Sequence, residues 1–135
     1  MRGIDSNILV YALNKDLPEH LPCKQLLIDI INGIELVSLP SVVFMESFHA
    51  LVKSYKYKEV EVKKRLVALI DSKNINVLVI STSSVLLAFE IAEKFKTGGR
   101  DSLIAASLLE NNIQEIYSHD SDFDKILLMK RIDPT

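Results

Sequence analysis

Short runs of branched apolar residues alternate along the chain with longer segments in which apolar residues recur every three or four positions. The clearest run is "INVLVI", residues 75–80, which is typical of a short strand buried on both faces. Segment 42–55 shows the other pattern, because Phe44, Phe48 and Leu51 fall on one face of a helix. Strands that alternate with helices predict a parallel sheet with helices on both sides.

The same two patterns predict an α/β fold with a central, mainly parallel sheet of four or five strands between two helical layers. The predicted strands cover residues 1–4, 35–39, 75–80 and 115–118, with residues 129–132 as a fifth strand at the edge. The predicted helices cover residues 7–13, 21–31, 42–55, 59–71 and 101–111, a segment ending at residue 95, and a short turn at 123–127. The expected helix caps are Ser6 or Asn7, Ser41, and Thr82 or Ser83. Because no repeat, linker or low-complexity tract interrupts this order, residues 1–135 are expected to form one domain.

Composition places the chain among ordered globular proteins, with 48% hydrophobic and 25% charged residues. No apolar run approaches the roughly 20 residues that cross a bilayer, and the N-terminus lacks an export signal pattern. The single cysteine, Cys23, cannot form an internal disulfide and is expected to be a buried apolar residue. These features predict a cytoplasmic protein without a membrane partner.

A net charge of −2 argues against a protein coated in positive charge, but one local basic patch is present. Lys53, Lys56 and Lys58 alternate with Tyr55 and Tyr57 in this patch. Cationic side chains contact phosphates and aromatic rings stack on unpaired bases, so the patch is a candidate for single-stranded RNA binding. The alternative is an ordinary solvated surface between two helices.

Acidic residues follow several of the predicted strands. Asp5 comes directly after the first strand, Glu46 lies early in the helix after the second, and Asp101 opens a helix. Asp120 and Asp122 follow the 115–118 strand. Each alone is compatible with a cap, a turn or a helix surface, but the carboxyl ends of parallel strands share one edge of the sheet. A carboxylate cluster there requires a cation, and oxygen ligands without cysteine favour Mg²⁺ or Mn²⁺.

Four segments, in order, resemble the signature segments of the PIN-domain nucleases, and in particular the small VapC-type toxins of toxin–antitoxin pairs. They are "IDSNILVYAL", "PSVVFMESFHAL", "GGRDSLIAASLLENN" and "IYSHDSDFDKI". The resemblance spans essentially the whole chain and implies the three-layer PIN fold. It also implies a ribonuclease that depends on Mg²⁺ or Mn²⁺ and hydrolyses RNA to products with a 5′-phosphate and a 3′-hydroxyl.

The resemblance also assigns roles to individual positions. The implied catalytic residues are Asp5, Glu46, Asp101 and Asp120, and the implied metal ligands are Asp5, Asp101, Asp120 and Asp122. Asn7 and Ser118 match polar positions that orient the acidic cluster. Arg100 is not a fixed feature of the family; it is either a phosphate contact, like Lys53, Lys56 and Lys58, or a solvated side chain.

The implied partners are RNA, a small antitoxin that fills the acidic groove, and a second copy of the chain in a homodimer. The apolar faces of helices 21–31 and 42–70 are candidates for the homodimer contact. Two alternatives stay open, namely an RNA-processing nuclease without an antitoxin and a non-catalytic RNA-binding domain. An aspartate-nucleophile phosphatase is disfavoured, because it requires a second aspartate at the position of Asn7.

Overall fold

The computed structural model describes all residues from Met1 to Thr135. The strands are β1 (Arg2–Ile4), β2 (Val37–Pro40), β3 (Ile75–Leu78), β4 (Glu115–Tyr117) and β5 (Lys130–Ile132). The helices are α1 (Ser6–Leu13), α2 (His20–Ile31), α3 (Ser41–His49), α4 (Glu59–Ile70), α5 (Thr82–Phe95) and α6 (Gly99–Glu110). A π-helical segment, Ala50–Ser54, extends α3, and a 3₁₀ turn, Ser121–Lys125, follows β4.

The five strands form one parallel sheet in the order β3-β2-β1-β4-β5. The chain first builds the sheet outward from β1 to β2 and β3, and then returns to the other side of β1 for β4 and β5. The order of strands therefore reverses between β1 and β4, where Ile4 pairs with Tyr117. Ligands of open parallel sheets bind at such a switch point, beyond the carboxyl ends of the strands.

Helices cover both faces of the sheet, as the alternation of patterns predicted, and the molecule has three layers. Helix α6 approaches β1 very closely, because a Cβ placed on Gly3 would lie 2.5 Å from Leu108 Cδ1. Cys23 is fully buried among apolar residues, as predicted, and burial raises the pKa of its thiol to about 11. None of the helices combines the length and the apolar composition that crossing a bilayer requires.

The predicted helix caps were wrong. Asp5, rather than Ser6 or Asn7, caps α1, and its Oδ1 accepts a hydrogen bond of 2.7 Å from the Ser6 backbone N–H. Ser81, rather than Thr82 or Ser83, caps α5, since its hydroxyl and that of Ser84 form a reciprocal capping box. Ser41 is the first residue of α3, which has no side-chain cap. Neighbouring residues of equal capping ability cannot be ranked without the local backbone geometry.

Two predicted elements end earlier than expected. The helix predicted over 42–55 is α-helical only to His49, and its last turn has π-helical hydrogen bonds. The third strand ends at Leu78 instead of residue 80, and Val79 is 82% exposed. The bounds of the other elements differ from the predicted ones by at most two residues.

Candidate metal centre

Asp5 lies at the carboxyl end of β1 and is completely buried. Its Oδ1 accepts the Ser6 N–H, and its Oδ2 accepts a hydrogen bond of 2.8 Å from Ser118 Oγ. Burial raises the pKa of this carboxyl, and the two hydrogen bonds oppose that effect without cancelling it. Asp5 is therefore held in one orientation by donors to both oxygens.

Ser118 connects Asp5 to the acidic loop that follows β4. Its hydroxyl accepts a hydrogen bond of 3.0 Å from the Asp120 backbone N–H while donating to Asp5. Asp120 in turn accepts the Asp122 N–H at 2.9 Å and so caps the 3₁₀ turn. Asn7 contacts the same loop by accepting the His119 N–H at 3.4 Å. The residues predicted to orient the cluster, Asn7 and Ser118, thus contact the loop that carries Asp120.

Three carboxylates converge at this edge of the sheet. Asp101, Asp120 and Asp122 each offer an oxygen, and these oxygens lie within 4.8 Å of one another. Asp101 is buried in the first turn of α6, whereas Asp120 and Asp122 are progressively more exposed. An all-oxygen set with one open side fits Mg²⁺ or Mn²⁺, which keep part of their water shell in protein sites. Asp5 lies beside this three-carboxylate cluster but is not a member of it.

Glu46 reaches the same region from α3. Its Oε1 is buried without a hydrogen-bond partner, and its Oε2 lies 3.1 Å from Arg100 Nε. Burial raises the pKa of the Glu46 carboxyl, the nearby charges of Asp5 and Asp101 raise it further, and Arg100 lowers it. A buried carboxylate oxygen without a hydrogen-bond partner is costly, although Ser6 lies close enough to lower the pKa of this carboxyl.

Arg100 is exposed to solvent, as expected, but its guanidinium also lies among these carboxylates. Its Nη2 lies 3.2 Å from Asp101 Oδ1 and 3.8 Å from Asp120 Oδ2, in addition to the contact of its Nε with Glu46. Partial burial lowers the pKa of the guanidinium, but the charges of Glu46, Asp5 and Asp101 outweigh burial and raise it. Arg100 is therefore a permanent cation inside an acidic site.

One guanidinium does not neutralise the cluster. Burial raises the pKa of the Asp101 carboxyl, and the charges of Asp120 and Asp5 add to that rise despite the adjacent Arg100. The charged forms of Asp5, Glu46 and Asp101 are all disfavoured here. Such a site gains stability from an added cation.

The basic patch is separate from this cluster. Lys53, Lys56 and Lys58 are exposed on the π-helical turn and the loop after it, and no hydrogen bond or ion pair joins them to the acidic residues. Only Arg100 of the four predicted RNA contacts lies in the centre. The loop turns at Lys56, whose backbone φ of 63° is left-handed.

Neither histidine close to the acidic residues in sequence contacts their carboxylates. His49 is exposed on α3. His119 Nδ1 forms a hydrogen bond of 2.8 Å with Asp133 Oδ2, and the His119 ring packs edge-on against Tyr11. Sequence reasoning missed the pairing of Arg100, although one signal was present, namely a basic residue directly before the buried Asp101.

The structural class is a three-layer α/β fold that has a five-stranded parallel sheet and a cluster of carboxylates at its switch point. The family model of the PIN domain matches residues 4–127, and the chain belongs to the PIN domain family. No curated protein matches the chain significantly in sequence.

Several solved structures share the fold. VapC20 from Mycobacterium tuberculosis, a toxin that cleaves the sarcin–ricin loop, superposes with a TM-score of 0.77 at 17% identity over 92% of this chain and 93% of that one. VapBC2 from Rickettsia felis, bound to a promoter DNA fragment, gives 0.72 at 18% identity over 98% and 97% of the two chains. A toxin–antitoxin complex from Klebsiella pneumoniae gives 0.71 at 17% identity over 100% and 98%. At these identities the similarity establishes the PIN fold.

Proposed function

We propose that this protein is an endoribonuclease that requires Mg²⁺ or Mn²⁺. The observation that carries the proposal is the three-carboxylate cluster of Asp101, Asp120 and Asp122 at the switch point of a PIN fold. The buried carboxylate of Asp5 and the partly buried carboxylate of Glu46 lie beside it. Clustered carboxylates at the sheet edge where ligands bind can hold the divalent ion that assists hydrolysis of a phosphodiester.

In this proposal Asp5, Asp101, Asp120 and Asp122 hold the ion. When bound, it stabilises negative charge on the phosphodiester and makes a water molecule more acidic. Asp5 keeps a fixed orientation because Ser6 and Ser118 donate to its two oxygens. Glu46 is the candidate proton acceptor, since its Oε1 has no hydrogen-bond partner and burial raises the pKa of its carboxyl, which makes the carboxylate a stronger base.

RNA is the proposed substrate, with Lys53, Lys56, Lys58 and Arg100 as candidate phosphate contacts. The three lysines are exposed and form no ion pairs, so their charges are available to a polyanion. Their position on the loop before α4 makes them contacts for RNA outside the reacting bond. Replacing all three is expected to weaken RNA binding and to reduce its salt dependence.

The experiment that tests this function is a cleavage assay with purified protein and a mixture of tRNA and rRNA. We expect discrete fragments in Mn²⁺ or Mg²⁺, none in EDTA, and fragment ends with a 5′-phosphate and a 3′-hydroxyl. Cleavage that survives EDTA, or that leaves a cyclic phosphate, would contradict the proposed chemistry. Binding of RNA without any cleavage would favour the non-catalytic alternative.

We further propose that the chain is the toxin of a toxin–antitoxin pair. The support is that solved structures sharing its fold include a VapC toxin and VapBC complexes. Induced expression in a bacterium is expected to stop growth with the wild-type chain and not with Asp101→Asn. Growth restored by a small protein encoded next to this chain supports an antitoxin, whereas normal growth with the wild-type chain favours a processing nuclease.

The predicted homodimer and cytoplasmic location stay predictions. An apolar groove of about 330 Å³ lies between α3 and α4, within the segment predicted to contribute the dimer contact. Phe44, Phe48 and Leu66 are among its lining residues. Sedimentation of the purified chain over a range of concentrations measures whether two copies associate.

A further inference from the structure

Arg100 contacts three carboxylates of the acidic centre, whereas the other basic side chain paired with the cluster, Lys125, contacts only Asp122, at 3.2 Å. The Arg100 Nε lies 3.1 Å from Glu46 Oε2, and its Nη2 lies 3.2 Å from Asp101 Oδ1 and 3.8 Å from Asp120 Oδ2. Asp101 and Asp120 are two of the three members of the three-carboxylate cluster. The guanidinium therefore pairs with two of the carboxylates that a divalent ion would also use.

We propose that Arg100 is a built-in counter-cation of the acidic centre, which a divalent ion displaces when it binds. This inference rests on the proposed metal-dependent function. Arg100 and the ion compete for the same carboxylates. In the metal-free enzyme, Arg100 occupies the ion site and keeps the enzyme inactive.

Electrostatics makes the two cations mutually exclusive at close range. Like charges a few ångströms apart repel each other, and the double charge of a divalent ion makes this repulsion stronger than that of a monovalent one. When the Asp101 carboxylate binds an ion, it attracts the Arg100 guanidinium less strongly. A bound ion thus weakens each contact that holds Arg100 in place.

The surroundings of Arg100 allow it to leave. Its side chain is 51% exposed, and its hydrogen bonds and ion pairs are all with the carboxylates of the centre. Glu46 Oε1 has no hydrogen-bond partner even with Arg100 in place. Once Arg100 moves out, Glu46 Oε2 also becomes free, so displacement would release the candidate proton acceptor together with the ion site.

The test measures Mn²⁺ affinity by calorimetry, without RNA, for the wild-type chain and Arg100→Gln. Arg65→Gln is the matched control, because it removes one exposed positive charge that pairs with no carboxylate. We expect Arg100→Gln to bind Mn²⁺ about tenfold more tightly than the wild-type chain and Arg65→Gln to bind as the wild-type chain does. Equal or weaker binding by Arg100→Gln would overturn the proposal while leaving the metal site intact. If no variant binds Mn²⁺, the proposed function fails, and the competition fails with it.

Two further readouts follow Arg100 itself. In the metal-free state Arg100→Gln is expected to melt at a lower temperature than the wild-type chain, and saturating Mn²⁺ is expected to reduce the difference. In ¹⁵N NMR spectra, the Arg100 Nε–H signal is identified by its loss in Arg100→Gln. Saturating Mg²⁺ is expected to move this signal to the shift and water exchange rate of a free guanidinium. A signal that Mg²⁺ leaves unchanged would show that Arg100 is not displaced and would overturn the proposal.

Discussion

Ser118 Oγ donates a hydrogen bond of 2.8 Å to Asp5 Oδ2, although the two residues are 113 positions apart in the sequence. The contact exists because β1 and β4 are neighbours in the sheet, with Ile4 opposite Tyr117. The same hydroxyl accepts the Asp120 N–H. One serine thus fixes the relative positions of the first and the last acidic segments of the candidate centre.

Replacing Ser118 with alanine is expected to lower the free energy of unfolding at pH 7 by about 1–3 kcal/mol, because a buried carboxylate loses one of its donors. The loss is expected to shrink at acid pH, where Asp5 becomes protonated and depends less on that donor. Urea unfolding of the metal-free protein measures both values. Ser54→Ala, at an exposed serine outside the centre, is the control; an equal loss at the two pH values would contradict this role of Ser118.

The raised pKa of Asp5 predicts how the stability of the folded protein depends on pH. The folded state binds the Asp5 proton more tightly than the unfolded state, whose carboxyl has a pKa near its ordinary value of 3.8. Stability from this group is therefore greatest in acid and is lost as the pH rises from that value through the raised folded pKa. Asp5→Asn removes the buried charge, keeps one acceptor oxygen, and is expected to be more stable than the wild-type chain at pH 7.

The advantage of Asp5→Asn is expected to shrink as the pH falls, because protonation then removes the buried charge from the wild-type carboxyl as well. Urea unfolding of the metal-free protein between pH 4 and pH 7.5 measures the difference. Asp71→Asn changes an exposed carboxylate at the end of α4 and is expected to show no such trend. A stability of Asp5→Asn that stays below wild type by the same amount at every pH would count against a destabilising charge at Asp5.

Metal binding is expected to raise the melting temperature, since the ion stabilises only the folded arrangement of carboxylates. The gain in unfolding free energy is about 2.7 kcal/mol when the free ion is at 100 times its Kd. Scanning calorimetry across a Mn²⁺ titration measures the shift, and EDTA is expected to reverse it. A melting temperature that does not respond to Mn²⁺ would contradict the site, as would an equal response from the doubly substituted Asp101→Asn, Asp120→Asn chain.

Much of the fold followed from the sequence, because burial imposes a different periodicity on strands and helices. The edge position of Asp5 and Asp120 also followed, since both lie just beyond the ends of strands, and that of Asp101 followed from its place at the start of a helix. The orientation of Arg100 was not predictable, because its partners come from α3, α6 and the loop after β4. The cap of α1 was missed for a local reason: Asp5, Ser6 and Asn7 are all good capping residues, and the backbone, which is still extended at Asp5 (φ −82°, ψ 159°), decides between them.

The decisive test of the acidic centre is the rate of RNA cleavage as a function of Mn²⁺ concentration for wild type, Asp101→Asn and Asp71→Asn. The rate is expected to saturate with Mn²⁺ for wild type and Asp71→Asn, and Asp101→Asn is expected to be slower by roughly 100-fold or more at every concentration. Cleavage by Asp101→Asn at the wild-type rate would contradict the assignment of this acidic centre as the site of hydrolysis.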